Sequence, residues 1–500
     1  MSKVTLFLCT TAARLIFCGL FTFLMVSVML PGPAVAEEWP SVFDPLQLLT
    51  VNLELDSLDW VTIQNDDTFD IEVPAMFWAN GETPIEVSVR RKSCDALYQS
   101  PDFLKVSLKI DINEFVPGQL WHGLAKLRLE NGDDVNVIAE GFAWYLHHLA
   151  SGDEGYGYPA GYSAWVKLYI NGYYTGVYVN CENRDKQFLK NHGLYVSGET
   201  WLYKHDTRDI VEQKVGDGDS PTFEALCYAP FCRDTTACPT PDSDEIATEL
   251  PSLIDMKSMF TMGAVNTFLQ NGDGLLNHDQ NAYFVDFLEG SRRKYYPHDL
   301  DSPLRKTLTE IYPTGGGHSD TILAVPQFRD QYTRIMYDLL DGPLAEANLI
   351  AFLDASEALL TDALEADPNN QVPPNETVED QFDALRSWVP ARRASAYAQL
   401  DDVPAGIQSP AAPASSPAIS VSPNPFNPVT TITYTVRDAG PVSLSVYDVS
   451  GRLVEKILDN EYREPNRYRV RYVASSASGV YFVKLDSRYQ SQIKKIVLLK

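Results

Sequence analysis

Apolar and polar positions change period along the chain, and the change divides it. Through residues 46–92 the pattern is that of strands: Leu48, Val51, Leu53 and Leu55 partly alternate with polar residues, and Ile85, Val87 and Val89 alternate cleanly. Asn80-Gly81 between apolar runs is a hairpin signal. Residues 103–112 and 124–129 predict two further strands. Residues 164–180 predict a hairpin that turns at Asn171-Gly172. Between these, 139–149 carries Ala139, Phe142, Ala143, Leu146 and Leu149 on one helical face. After Pro251 the helical period takes over, with helices expected over 254–269, 320–366 and 378–400. Strands first and helices after is an α+β order.

Residues 403–416 are rich in Pro, Ala and Ser and predict a linker. Beyond them, short alternating strands are expected at 430–436, 442–447, 468–473, 480–485 and 493–499, the spacing of a small β-sandwich. At the other end, Lys3 and Arg14 are the only charges in the first 36 residues. An apolar run at 15–30, Pro31-Gly32-Pro33 and Ala34-Val35-Ala36 follow in the order of a secretory signal, and the run is shorter than a spanning helix needs. The expected domains are a signal at 1–36, a large module at 37–402, a linker at 403–418 and a small β module at 419–500. No stable transmembrane segment is expected after signal cleavage.

Charge sharpens that division. The chain has 500 residues and a net charge of −27, which repels phosphate backbones and argues against nucleic-acid binding. Residues 419–500 hold 12 Lys/Arg against 7 Asp/Glu, so the remainder carries −32. Five cysteines follow the signal. Cys227, Cys232 and Cys238 cluster in a Pro-rich stretch and predict a local loop-closing bridge; the odd count leaves a thiol over, Cys94 or Cys181.

Candidate chemistry concentrates between 271 and 301. Asp273 is followed eight residues later by Asn281, then by a strand and Pro297-His298-Asp299-Leu300-Asp301. Carboxylate and amide oxygens suit Mg²⁺ or Mn²⁺. An Asp that positions an acceptor hydroxyl, with an Asn and another Asp on the metal, is the logic of phosphoryl transfer. Two solvated carboxylates in a turn would carry the same letters, and an Asp-x-Asp also occurs in nucleotide-sugar transferases. Lys105 and Lys109 alternate around Ser107, so on one strand both amines would share a face. Glu182 is a candidate acid for a lysine–glutamate pair, and Lys204 ends Trp201-Leu202-Tyr203-Lys204. The Gly-rich stretch 152–161 lacks a Gly-Lys-Ser/Thr ending and predicts a loop; Gly216-Asp217-Gly218-Asp219 predicts a turn.

These segments occur in an order that resembles the spore-coat protein H (CotH) kinase family. The resemblance runs from Trp60 through Val89-Arg90-Arg91-Lys92-Ser93 and Lys105-Val106-Ser107-Leu108-Lys109-Ile110-Asp111 to His122-Gly123-Leu124 and Leu127-x-Leu129-x-Asn131-Gly132. Leu168-Tyr169-Ile170-Asn171-Gly172-Tyr173-Tyr174-Thr175-Gly176-Val177-Tyr178 with Glu182 is its most specific part, and Asp273, Asn281-Ala282-Tyr283-Phe284 and Asp299-Leu300-Asp301 complete it. The resemblance implies an atypical protein-kinase-like fold that binds ATP with Mg²⁺ or Mn²⁺ and phosphorylates Ser on secreted or surface proteins. It implies Asp273 as the catalytic Asp, Asn281, Asp299 and Asp301 at the metal, and Lys92, Lys105, Lys109, Lys204 and Glu182 at the nucleotide. The sequence departs from the family where Lys92 runs straight into Ser93-Cys94 without Gly-Asn, and where His298 replaces the usual Trp. These departures keep a catalytically inactive surface protein as an alternative. Asn424-Pro425-Phe426-Asn427-Pro428, Val446-Tyr447-Asp448-Val449-Ser450-Gly451-Arg452 and Ser478-Gly479-Val480-Tyr481-Phe482 resemble a type IX secretion sorting domain, which implies secretion machinery as a partner and an Ig-like sandwich.

Overall fold

A computed structural model describes residues 41–92, 105–132, 136–151, 158, 160–207, 210–226, 231, 242–288, 292–300, 302–305, 308–370, 372–401 and, with short interruptions, 419–498. The expected signal at 1–36, most of the linker at 403–418, most of the Gly-rich stretch 152–161, Cys94, Cys227, Cys232, Cys238 and Asp301 lie outside the described residues.

Seven strands close into a barrel. They are β1 (Leu49–Glu54), β2 (Glu72–Ala79), β3 (Ile85–Arg91), β4 (Leu108–Asp111), β5 (Lys126–Glu130), β6 (Ser163–Ile170) and β7 (Tyr173–Glu182). Neighbours follow the order β1-β2-β3-β4-β5-β7-β6, and a parallel pairing of β1 with β6 closes the ring. Period-two alternation supplies the filling: Val51, Leu53, Phe77, Val87, Val89, Leu108, Ile110, Leu127, Leu129, Val166 and Leu168 form one buried cluster. The two expected hairpins turn on Asn80-Gly81 and Asn171-Gly172, with φ of 44° and 80°, and of 51° and 79°. Positive φ at both central residues matches the twist of the flanking strands.

Two local expectations change. Residues expected within a run of strands at 46–92 include a helix, α1 (Ser57–Gln64), which starts where the Asp56 carboxylate accepts from Leu58 N. The strand expected over 103–112 is regular only from Leu108 to Asp111, so Lys105 and Lys109 do not share one strand face.

Outside the barrel, α2 (Val137–Ser151) packs on β6 and β7, where Trp165 Nε1 donates to Val137 O at 2.9 Å. α3 (Lys186–Asn191) follows the barrel. A second sheet then forms from β8 (Thr200–Thr207), β9 (Ile210–Val215), β10 (Ala282–Phe287) and β11 (Lys294–Pro297), in the order β11-β10-β8-β9. The helices are α4 (Pro221–Ala225), α5 (Ser243–Leu253), α6 (Met256–Phe268), α7 (Leu275–His278), α8 (Gly317–Ile322), α9 (Pro326–Asp341), α10 (Glu346–Glu365) and α11 (Val378–Gln399). The run expected at 320–366 is thus three helices, broken where Pro326 opens α9 and Gly342 closes it. Arg293 donates twice to the Asp286 carboxylate, at 2.7 Å each, and locks the β10–β11 hairpin from within.

A buried ion pair joins the barrel to the helical half. Lys105, 1% exposed, places Nζ 3.0 Å from Asp367 Oδ2, just beyond α10. The same oxygen accepts from Val177 N of β7 at 2.9 Å. Gly176 makes this approach possible: its φ is +137°, and a Cβ there would lie 2.4 Å from the Asp367 carboxylate oxygens.

The C-terminal region is all β. β12 (Ile419–Ser422), β13 (Val429–Val436) and β16 (Asn466–Val473) form one sheet; β14 (Gly440–Asp448), β15 (Leu453–Arg463), β17 (Gly479–Ser487) and β18 (Gln490–Leu498) form another. Both contribute to one core, including Ile432, Tyr434, Leu444, Val446, Val483, Leu485 and Ile496. Two further strands, β12 and β15, were not expected from the sequence: β12 has only four residues, and β15 is mostly polar. Among the described residues no helix is long and apolar enough to cross a membrane.

Candidate functional site

The site begins where β3 ends. Lys92 follows Arg91, and its amide donates to Ser107 O at 2.8 Å, which carries the β3–β4 ladder one step further. Its amine meets both Glu130 oxygens, at 2.9 and 3.0 Å, and Asp299 Oδ1 at 3.2 Å. Glu130 ends β5, and Arg128, two residues earlier on the same face, donates to Glu130 Oε1 at 2.6 Å and lies 3.9 Å from Asp299 Oδ1. Burial alone would raise the Asp299 carboxyl, but Lys92, His298 and Arg128 outweigh it and hold it well below the ordinary carboxylate range. Lys92 and Arg128 both address Oδ1; none of the described residues donates to Oδ2.

Asp299 belongs to the open end of the β10–β11 hairpin. His298 N donates to Asn281 O at 3.1 Å, and Asn281 Nδ2 reaches Asp299 O at 3.5 Å. Asn281 and Asp299 both have left-handed backbones, with φ of 51° and 47°. Two non-glycine residues in that region at one turn are the kind of local strain that collects at functional sites. On the next strands, Tyr283 packs edge-on to His298 at 4.9 Å, and Lys204 of β8 sits directly across from Tyr283.

A cationic row runs out from this point across the barrel. Arg90 of β3 pairs in register with Lys109 of β4, and Lys109 with Arg128 of β5. Like charges directly opposite one another are unfavourable. Burial, followed by the charges of Lys126, Arg90, Lys214 and Arg128, brings the Lys109 amine down to about 8. No carboxylate among the described residues pairs with it. Its neighbours in the row are paired, Arg90 with Glu72 at 3.6 Å and Arg128 with Glu130 at 2.6 Å.

Asp273 lies on the loop between α6 and α7. Gly272 N donates to Ser302 O at 3.1 Å, and Leu304 N donates to Leu269 O at 2.8 Å, so this loop is zipped to the segment just after Asp299. The Asp273 carboxylate stands 3.6 Å from Arg305 and is about a third exposed, at 32%.

The remaining candidates go elsewhere. Lys105 is committed to Asp367 rather than to the Lys92 cluster. Glu182 ends β7 and accepts from Tyr162 N at 3.2 Å and from His192 Nε2 at 3.0 Å. The lysine–glutamate pair of this site is therefore Lys92–Glu130. Sequence reasoning missed Glu130 and Arg128; the alternation of Leu127 and Leu129 into the barrel was the available signal, since it turns 128 and 130 together to the other face. Cys181 is a buried free thiol.

Asp299 is ionised with one oxygen open, and Asn281 adds an amide beside it; that oxygen-rich set fits a divalent cation. Among the described residues, which do not include Asp301, no group of three or more His, Cys, Asp or Glu gathers as a metal cage. The site and the folded cores define a mixed α+β protein with a charged cluster beside a closed barrel and an appended β module. Residues 98–396 match the family model described as CotH kinase protein, and the chain belongs to that family. Residues 420–499 match the secretion system C-terminal sorting domain, which marks the protein for secretion or the cell surface through the type IX machinery. No curated protein matches the chain. Three solved chains match, among them PorZ, described as an essential bacterial surface component of the type-IX secretion system of Porphyromonas gingivalis, over 16% of this chain at 23% identity and a TM-score of 0.13. The match spans 11% of that chain.

Proposed function

We propose that the protein is a secreted kinase that moves the γ-phosphate of ATP to serine hydroxyls of secreted or surface proteins. The observation that carries this reading is the Lys92 amine bridging Glu130 and Asp299. A lysine fixed by a glutamate beside a metal-binding aspartate is a recurring device of phosphoryl transfer. In this reading the Lys92 amine and the Arg90–Lys109–Arg128 row hold the phosphates, and Glu130 holds Lys92. Asp273 takes the serine proton. A bound Mg²⁺ or Mn²⁺ supplies charge neutralisation on the phosphates; Asp299, Asn281 and Asp301 would hold it. Lys204 and Tyr283 line the same end of the second sheet. The reading takes 37–402 as a kinase-like catalytic module, 1–36 as a cleaved signal, 403–418 as a linker and 419–500 as an Ig-like sorting module.

The test is transfer of label from γ-labelled ATP to the protein itself or to casein, with Mg²⁺ or Mn²⁺. Transfer that disappears in Asp273→Asn and Asp299→Asn supports the kinase. Nucleotide binding with no transfer would instead make this an inactive member, and no nucleotide binding would remove the reading altogether.

Lys109 gives the reading a pH signature. Its amine is charged below about 8 and neutral above it. A bound polyphosphate favours the charged form, so nucleotide affinity is highest below that value. It should fall as pH rises through it, by at most about tenfold per pH unit for a single proton. Calorimetric titration of nucleotide at about pH 7 and about pH 9 measures the slope. Lys109→Met should bind more weakly and lose this dependence; an unchanged slope in that variant would remove Lys109 from the phosphate site.

A further inference from the structure

His298 is 3% exposed, and among the described residues neither its Nδ1 nor its Nε2 has a hydrogen-bond partner. Two other buried histidines have partners: His147 meets Tyr158 Oη at 3.0 Å and Asn266 Oδ1 at 3.1 Å, and His318 meets Asp279 Oδ1 at 2.8 Å; His122 leaves only its Nδ1 unpaired among the described residues, its Nε2 meeting Glu82 at 2.7 Å. Buried polar atoms are paired as a rule, and an orphan points to a water, an ion or a ligand. The charged groups that act on His298 are Asp299, Arg128, Lys204 and Lys92, the same groups that ring the site. In a straight strand residues 298 and 299 would face opposite ways; the left-handed φ of 47° at Asp299 breaks that alternation.

We propose that His298 lends an imidazole nitrogen to the divalent cation at Asp299, so that the site selects Mn²⁺ over Mg²⁺. This rests on the metal–nucleotide reading above. Mg²⁺ takes oxygen ligands almost exclusively, whereas imidazole suits the transition metals. The donor set becomes mixed: the open Oδ2 of Asp299, the amide of Asn281 and a ring nitrogen, gathered at one hairpin end by the His298 N to Asn281 O bond. The Tyr283 ring, packed edge-on, holds the imidazole in place. Tyr283 is itself kept a neutral phenol, pushed up to about 12 by burial against the opposing charges of Arg128, Arg184 and Lys92.

The experiment uses the full chain with Mn²⁺ and a non-hydrolysable ATP analogue. Pulsed electron paramagnetic resonance of bound Mn²⁺ should show coupling to a directly bound nitrogen, and the pattern should change when the protein's histidines carry ¹⁵N. The ratio of Mn²⁺ to Mg²⁺ affinity should fall about tenfold or more in His298→Gln, with Mg²⁺ binding little changed. The resonance measurement needs no variant, so a His298→Gln chain that fails to fold leaves it decisive. Absence of nitrogen coupling in wild type, or an unchanged affinity ratio in His298→Gln, overturns the proposal. If Mn²⁺ binding is then lost in Asp299→Asn, the metal–nucleotide reading survives without His298. Failure of the wild-type chain to bind either metal with nucleotide overturns both.

Discussion

On the kinase reading proposed above, Lys92→Met should lower kcat/KM for phosphoryl transfer by about 10³-fold or more. The Lys92 side chain is only 18% exposed, and its amine lies within hydrogen-bond distance of both Glu130 and Asp299, closer to Asp299 than Arg128 does. Removing it would withdraw a positive charge from the phosphates in that reading and leave the Glu130 and Asp299 carboxylates with Arg128 beside them. Lys92→Arg is not expected to rescue, because a planar fork cannot replace a point charge that serves two acids. Glu130→Gln should cost less, since it loosens Lys92 without deleting it. Groups acting as a unit are non-additive, so Lys92→Met with Glu130→Gln should be little worse than Lys92→Met alone. Steady-state kinetics on the three variants, with thermal melts to confirm folding, checks this. Lys92→Met retaining activity within about tenfold of wild type would take the pair out of the mechanism.

The second large effect is on stability. Lys105→Met should destabilise the protein by roughly 3–5 kcal/mol, because it leaves the Asp367 carboxylate buried without its cation. The fall in melting temperature should be on the order of 10 °C. Lys105→Met with Asp367→Asn should recover part of the loss: the amide oxygen can still accept from Val177 N, and no uncompensated charge remains. Differential scanning calorimetry of the single and double variants measures both. The sign follows from the pair itself. Burial lowers the Lys105 amine, and Asp367 pulls it back up. A phosphate-binding Lys105 would behave oppositely, with weakened nucleotide affinity and a melting temperature close to wild type.

The contrast between Lys92 and Lys105 shows where the sequence could be read and where it could not. Alternation of apolar residues located β3, β5 and the two hairpins, because a half-buried strand writes its period into neighbouring positions. Asn80-Gly81 and Asn171-Gly172 announced their turns for the same local reason. Asp273, Asn281 and Asp299 stood out as letters in order, and the hydrogen bonds from Gly272 to Ser302 and from His298 to Asn281 draw their segments together. Pairings across the chain left no such trace. Lys92 meets Glu130 only because β3, β4 and β5 are consecutive staves of a closed ring. Lys105 meets Asp367 across 262 positions, and nothing in the spacing of Lys105 and Lys109 signals that the chain has not yet entered β4. Glu182 was a sound candidate by type, but the barrel hands it to His192 and Tyr162. The β8–β9 hairpin and its sheet with β10 and β11 were hidden because four helices, α4 to α7, separate the two pairs of strands.

The ring closure of the barrel has a consequence for life at a crowded surface. An open sheet ends in a row of unsatisfied N–H and C=O groups on which a second copy can extend it. Here the parallel seam between β1 and β6 consumes that row, so the N-terminal barrel presents no margin for another molecule to lengthen. The second sheet keeps two margins, β11 with four residues and β9 with six, both short. The barrel is thereby closed to sheet-by-sheet extension by its topology, whereas the four-stranded C-terminal sheet keeps longer margins, β15 with 11 residues and β18 with 9.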